Sequence, residues 1–220
     1  MQPYFFPAPR YFALVDAADI FVFFDDVQFV TKRWTHRNRL PGPDGEYRFT
    51  VPLEGRSQSR SIADIAVHPG EYPRWRRKFL ATLRAFYGRS ERLDGLADLL
   101  APETQSLADL AARSVQWASN IMRIRTDFRR SSAMEYARDG DGSTKIRSIS
   151  RMLGAGTYAN AAGGRALYDH QAFQADGVAL RFVEPAPDTG DAGDYSILHA
   201  LLTRSPVEAR ALCTAYKLEA

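Results

Sequence analysis

Residues 20–39 read IFVFFDDVQFVTKRWTHRNR, and the order of residue types along them sets the expected fold. Ile20 to Phe24 is a continuous apolar run of strand length, rich in aromatic and β-branched side chains, and it predicts a buried central strand. Asp25, Asp26 and Gln28 follow at its end. Adjacent carboxylates are costly unless solvated, paired or shared with a ligand. Next come Lys32, Arg33, Trp34, Thr35, His36, Arg37, Asn38 and Arg39, with four cations, a tryptophan and a histidine in eight residues. A strand that delivers polar groups from its carboxyl end into a loop is where α/β folds place their ligands. Upstream, Met1–Phe6 is expected to finish a strand, and Pro7 and Pro9 to break it. Tyr11 to Ala18 suits a short helix with Tyr11, Phe12, Leu14 and Val15 on its apolar face.

Downstream, Pro41-Gly42-Pro43-Asp44-Gly45 is a turn. Tyr47 to Leu53 alternates as a strand does and is expected to pair with 20–29 around the basic loop. Ile62, Ile65 and Val67 suggest a third strand. Trp75, Phe79, Leu83 and Phe86 recur at helical spacing within 72–87. The arginines and Lys78 on the other face of that helix suit solvent better than a phosphate. Helices over 93–100 and 107–122 follow, split by Pro102, with Ser106 as an N-cap. Then come a short strand and a Ser-Ser turn over 125–132, a helix over 144–153, a strand over 157–160 and Gly163-Gly164. A helical piece through Phe173, a strand over 178–183 and a Pro/Gly/Asp loop over 185–193 follow. The last helical region breaks near Pro206. The pattern predicts a single mixed α/β domain over 1–220, with a central sheet and a helical segment inserted around 72–122. The alternative is a second lobe over 140–220, with a cleft near residue 140.

At 220 residues the chain can bury a sizeable core. Its net charge of +3 creates no field that calls for nucleic acid, and the scattered arginines make a pI near 9.1 weak evidence for it. A lone cysteine, Cys213, excludes a disulfide framework within one chain and suggests a buried, inert thiol. No apolar run approaches spanning length and no signal peptide opens the chain, so the expected location is cytoplasmic. There is no GxGxxG, P-loop, GxSxG or HExxH pattern, and the four histidines lack ligand spacing, so no metal is expected. Asp139–Ser143 starts like a calcium loop but lacks its remaining ligands. His36, set among cations that favour its neutral form, is a candidate base.

Several motifs together resemble the WbqC family. They are Gln2-Pro3-Tyr4-x-x-Pro7, Tyr11-Phe12-x-Leu14, Asp25-Asp26-Val27-Gln28-Phe29 and Lys32-Arg33-x-x-x-Arg37-Asn38-Arg39. In the second half they are Thr144-x-x-Arg147, Leu153-Gly154-Ala155-x-x-Tyr158 and Gly163-Gly164-x-x-Leu167-Tyr168-Asp169. Arg10 stands where the family usually has glycine. Tyr195 and His199, around Ser196-Ile197, stand where it usually has leucine and an aspartate. The resemblance also implies a few apolar residues ahead of Gln2, so part of a first strand is expected to lie before Met1.

The family is associated with surface-polysaccharide and small-molecule biosynthesis. The resemblance therefore implies an enzyme acting on a small anionic, activated intermediate, with amide-forming acyl transfer as the leading class. An ATP-dependent ligase or nucleotidyltransferase and a non-catalytic binding or assembly protein are the alternatives. Acyl-CoA or a nucleotide would enter as substrate, and no cofactor is required. Expected partners are a small molecule, a second copy of the chain, or a pathway enzyme or carrier protein; nucleic acid and membrane are not expected.

Asp25 and Asp26 are a candidate base and its orienting partner, or else an ion pair of the basic loop. Arg33, Arg37 and Arg39 suit bidentate recognition of phosphate or carboxylate. Asn38 adds a donor and an acceptor, and Trp34 and Tyr4 offer stacking faces. Gln2, Gln28, Lys32, Thr144, Arg147, Tyr168, Ser196 and His199 complete the expected binding set. Gly163-Gly164 would open a helix start to an anion. The Gly163-Gly164 turn and Arg147 are expected to converge on the 37–39 loop.

Overall fold

The structure, a computed structural model, describes residues 1–55, 59–101, 103, 105–185 and 194–220. In chain order its elements begin with α1 (Pro9–Asp16), β1 (Ile20–Phe23), β2 (Arg37–Gly42), β3 (Gly45–Thr50), β4 (Leu53–Glu54) and β5 (Ala66–Val67). Three helices follow, α2 (Tyr72–Tyr87), α3 (Glu91–Leu99) and α4 (Leu107–Met122). The second half holds β6 (Asp127–Arg130), α5 (Gly142–Met152), β7 (Thr157–Ala161), α6 (His170–Ala175), β8 (Ala179–Pro185), α7 (Ile197–Thr203), α8 (Pro206–Thr214) and β9 (Tyr216–Glu219). The chain is mixed α/β, and α2 to α4 form the helical segment expected between the two sets of strands.

Several of these helices have a chemical start or stop. Pro9 and Pro73 sit in first turns, where a missing N–H costs nothing. The Ser106 side chain accepts from the Asp109 N–H at the start of α4. Gly88 ends α2 at φ 75°, open to glycine and strained for other residues. α4 is buried along much of its length through Leu107, Leu110, Ala111, Val115, Ala118 and Met122. Phe6 meets this helix, its N–H on Ser114 Oγ and its ring against Trp117, and Phe5, Phe6 and Phe12 belong to the large core. Part of the arginine surface caps neighbouring helices: Arg76 donates to the Leu100 and Ala97 carbonyls ending α3, and Arg92 to those of Leu201 and Arg204 ending α7.

Several expectations change. Four small sheets stand, among the described residues, where one central sheet was expected. β1 pairs in parallel with β6, Phe21 opposite Phe128 and Phe23 opposite Arg130. The strand at 45–50 does not pair with β1. It folds back on β2, so that Arg37 faces Thr50 and Gly42 faces Gly45. The basic stretch is thus itself half of a hairpin, closed by the proline-glycine turn. Of the third expected strand, Ile62–Asp64 is a 3-10 turn and only Ala66–Val67 pairs, with Leu53–Glu54. Met1–Phe6 is not a regular strand, although Met1 lies along β1. β7, β8 and β9 form a separate sheet with its own small core of Phe173, Val178, Leu180 and Phe182. α7 and α8 return to the large core. The expected loop at 185–193 lies, beyond Pro185, outside the described residues. No helix among the described residues is long and apolar enough to cross a membrane.

Candidate functional site

β1 and β6 run parallel and end together, so their carboxyl ends deliver Asp25-Asp26 and Arg130-Ser131-Ser132 to one place. Asp25 is completely buried. Its Oδ2 accepts from Arg130 Nε at 2.7 Å and Ser132 Oγ at 2.9 Å, and its Oδ1 accepts from the Ser132 N–H at 2.9 Å and lies 3.2 Å from Ser131 Oγ. A carboxylate so enclosed has no face left for a substrate. Asp26 is partly exposed. Its Oδ1 accepts from Ser131 Oγ at 2.5 Å, and its Oδ2 from Tyr136 Oη at 2.7 Å and Arg138 Nε at 3.1 Å. Burial would raise the Asp26 pKa, but the bonds from Ser131, Tyr136 and Arg138 outweigh it and hold the carboxyl below its ordinary range. Burial, then the bond to Asp26, pushes the Tyr136 phenol up, so it stays protonated. The aspartates find their cations in Arg130 and Arg138, not in Arg37 or Arg39.

The basic loop hangs from a strained turn. Phe6 adopts φ 44° immediately before Pro7, a region that costs a non-glycine residue about 1–3 kcal/mol. Three side chains hold it there. Its N–H donates to Ser114 Oγ at 2.9 Å, and its carbonyl accepts from Asn38 Nδ2 at 2.7 Å and Ser196 Oγ at 2.8 Å. Asn38 and Ser196 are buried and committed to this backbone. The Phe5 N–H donates to the Trp34 carbonyl and the Val51 N–H to the His36 carbonyl, pinning the loop at two points. Thr35 and His36 turn inward and are buried, with the His36 ring against Phe29.

Lys32, Arg33 and Trp34 turn outward and are exposed. Arg37 lies 6.0 Å from the Trp34 ring centroid, and its guanidinium donates to the Lys32 carbonyl. Among the described residues no carboxylate lies within 4.0 Å of Lys32, Arg33 or Arg37. Arg39 differs: it pairs with Glu46 at 2.7 Å and covers the Tyr195 ring at 5.6 Å. Tyr4 is half-buried beside Tyr11; burial raises its phenol pKa and the charge of Arg33 opposes that rise. The Gln2 carbonyl takes the Tyr11 hydroxyl, and the exposed Gln28 makes a lone bridge to Ser61.

The second-half motifs have local partners. Arg147 pairs with Asp176 at 2.5 Å, joined by Arg151 at 2.9 Å, while Thr144 forms the first turn of α5 over the Asp141 cap. Gly163 and Gly164 lie in a short 3-10 turn, with Gly164 against Asn160 and Tyr168. Asn160 Nδ2 donates to the Tyr168 and Tyr158 hydroxyls. None of these bonds involves a residue of the 37–39 loop. His199, half-buried on α7, faces Tyr87 Oη at 3.1 Å from its Nδ1, and burial followed by the charge of Arg204 lowers its pKa.

The chain was compared with known proteins. Residues 2–192 match the model of the WbqC-like protein family. The chain belongs to that family. The uncharacterized protein Rv1507c of Mycobacterium tuberculosis (strain ATCC 25618 / H37Rv) is 24% identical over 180 residues, covering 79% of this chain and 75% of its own. No solved structure matches. The WbqC-like match spans the aspartate pair, the basic loop and the Gly-Gly turn, and it ends before Tyr195, Ser196 and His199.

Within this WbqC-like chain, sequence reasoning missed Arg130, Ser131, Ser132, Tyr136 and Arg138 as partners of the aspartates. The available signal was a short strand ending in two serines, because hydroxyls at the end of a parallel neighbour are natural donors to carboxylates at the end of β1.

Proposed function

We propose that this WbqC-like protein is a biosynthetic enzyme that binds a small anionic, activated intermediate on its 32–37 loop and forms an amide by acyl transfer to an amino group. The observation that carries the anionic ligand is the uncompensated charge of Lys32, Arg33 and Arg37 beside the exposed Trp34. Three cations held on a pinned loop favour phosphate or carboxylate, and the indole offers a stacking face. The acyl-transfer class comes from the family resemblance.

In this reading the acceptor amine attacks the acyl carbonyl, the bond to the leaving thiol breaks, and one proton leaves the amine. Asp25 is too enclosed to take it. Asp26, held below its usual range, is a poor proton acceptor and is suited to holding an ammonium group. His199, kept neutral by burial, is the candidate base, linked to the loop through Tyr195 and Arg39.

The test is a binding screen with nucleotides, nucleotide-sugars and acyl-CoAs, followed by thiol release in the presence of amino-sugar acceptors. Arg37→Lys is expected to weaken binding of the selected ligand by roughly 5–30-fold, because lysine keeps the charge and loses the planar fork. Ligand affinity that is indifferent to Arg33→Ala and Arg37→Lys overturns the loop assignment. ATP cleavage without thiol release replaces acyl transfer with ligase chemistry.

A further inference from the structure

Of the three tryptophans, Trp75 and Trp117 pack on the large core, while Trp34 is 43% exposed. Its backbone is fixed all the same. The Arg33 N–H donates to the Val30 carbonyl and the Trp34 carbonyl accepts from the Phe5 N–H. The next two residues, Thr35 and His36, are buried. The chain therefore holds a large apolar ring outward on a pinned support. A ring left so open gains little from burial, so packing alone does not account for its place.

Three cations accompany this ring. Lys32 and Arg33 precede it and are exposed, and the Arg37 guanidinium carbon lies 6.0 Å from the ring centroid. One N–H of Arg37 is used on the Lys32 carbonyl, which ties the guanidinium to the loop; among the described residues its other donors are unbonded. A bare phosphate or a carboxylate answers the cations and leaves the indole unused. A neutral sugar or aryl group covers the indole and leaves the charges. A nucleotide carries both parts, a flat base with a π-face and a phosphate one sugar away.

We infer that the 32–37 loop takes the nucleotide portion of its ligand, with the base stacked on the open face of Trp34 and phosphate oxygens on Lys32, Arg33 and Arg37. The inference rests on the proposed reading of this loop as an anion site and names what the site takes: a nucleoside carrying one or more phosphates. Two sources share that chemistry, the adenosine bisphosphate end of a coenzyme A thioester and the nucleoside diphosphate of a nucleotide-linked sugar. In either, the nucleotide is a handle held at the loop, and the reacting group lies beyond it. Stacking uses the π-face common to all bases, so recognition tolerates a change of base, and the cations select the phosphate pattern.

The test titrates the 220-residue chain, Trp34→Ala and Trp34→Phe with ADP, UDP, adenosine 3′,5′-bisphosphate and inorganic pyrophosphate, by calorimetry and by tryptophan fluorescence. The three nucleotides are expected to bind the parent roughly tenfold or more tightly than pyrophosphate, and to quench its fluorescence. Trp34→Ala is expected to lose roughly 5–150-fold in nucleotide affinity and less than about twofold in pyrophosphate affinity. Trp34→Phe keeps a π-face and is expected to retain most of the nucleotide affinity. ADP and UDP are expected to lie within about tenfold of each other. A preference for the bisphosphate assigns the coenzyme A end, and one for ADP and UDP the nucleotide-sugar end; both support the inference. Nucleotide affinity equal to that of pyrophosphate, or unchanged by Trp34→Ala, overturns it and leaves the loop as a plain anion site. An oligoadenylate of about twelve nucleotides, bound roughly a hundredfold or more tightly than ADP, also overturns it, because the surface then takes single-stranded nucleic acid. Parent protein that binds neither pyrophosphate nor any nucleotide refutes the anion reading of the loop itself, and the inference falls with it.

Discussion

Asp25→Asn is the substitution that separates a structural carboxylate from a catalytic one. The exchange nearly preserves shape, yet the surroundings of Asp25 are all donors. Oδ1 faces the Ser132 N–H, and Oδ2 faces Arg130 Nε and the Ser132 hydroxyl. Whichever way an asparagine amide is turned, its NH2 meets a fixed N–H. The Ser132 hydroxyl can rotate to accept, but the backbone N–H and the guanidinium cannot. Removing one partner of a fully buried pair costs about 3–5 kcal/mol. Arg130 is 32% exposed and can turn to water, which lowers the expected loss to about 2–4 kcal/mol. For a chain of this length that is a fall in melting temperature of about 5–15 °C. Urea titration and thermal melting measure it. A cycle with Arg130→Gln should show the two losses combining to less than their sum, by about 1–3 kcal/mol. Ligand affinity measured well below the melting point should be unchanged. An Asp25→Asn protein that melts like the parent but no longer binds or turns over ligand would refute the structural assignment.

Two further outcomes follow from the same geometry. Asp26 has a folded pKa below its ordinary 3.8, so the stability it contributes is present above about pH 4 and is lost as pH falls through the folded value; Asp26→Asn should lower the melting temperature at neutral pH and flatten the acid limb of its profile, the two proteins converging as pH falls. Ser196→Ala removes a donor to the Phe6 carbonyl and the cap of α7, and should cost about 1–2 kcal/mol in urea titration, with no change at Asp26.

The helices were legible because their apolar residues recur at 3.6 spacing: Trp75, Phe79, Leu83 and Phe86 suffice for α2. β1 was legible from Ile20-Phe21-Val22-Phe23, and a short strand was expected over 125–132, but the pairing of the two was not legible, because β6 reads Asp-Phe-Arg-Arg. Only Phe128 of that strand packs on the core, stacked on Phe23, and a charged strand gives no apolar face that names its neighbour. β2 was hidden for a related reason. Its inward positions are Asn38 and Leu40, and an asparagine buried to bond a distant carbonyl looks like a loop residue in sequence. The aspartates were correctly singled out as needing partners, but the partners lie more than a hundred positions away, and neither charge nor periodicity encodes that pairing. The split of the sheet was also unreadable, since a run of apolar residues does not say how many neighbours it has.

The separation of charges in this site has a mechanical cause. An arginine-rich loop beside two carboxylates would ordinarily collapse onto them. Here Asp25 and Asp26 are saturated by donors from β6 and the segment after it, so they offer little to Lys32, Arg33 or Arg37. The loop is also held by its backbone at Trp34 and His36, and its base is fixed by the Phe6 turn. The strain at Phe6 persists because Ser114, Asn38 and Ser196, from three distant parts of the chain, each satisfy one bond of its peptide groups. The turn is therefore held only where α4, β2 and the start of α7 meet. Among the described residues Lys32, Arg33 and Arg37 have no carboxylate within 4.0 Å, and it is on this that the proposed anionic ligand rests.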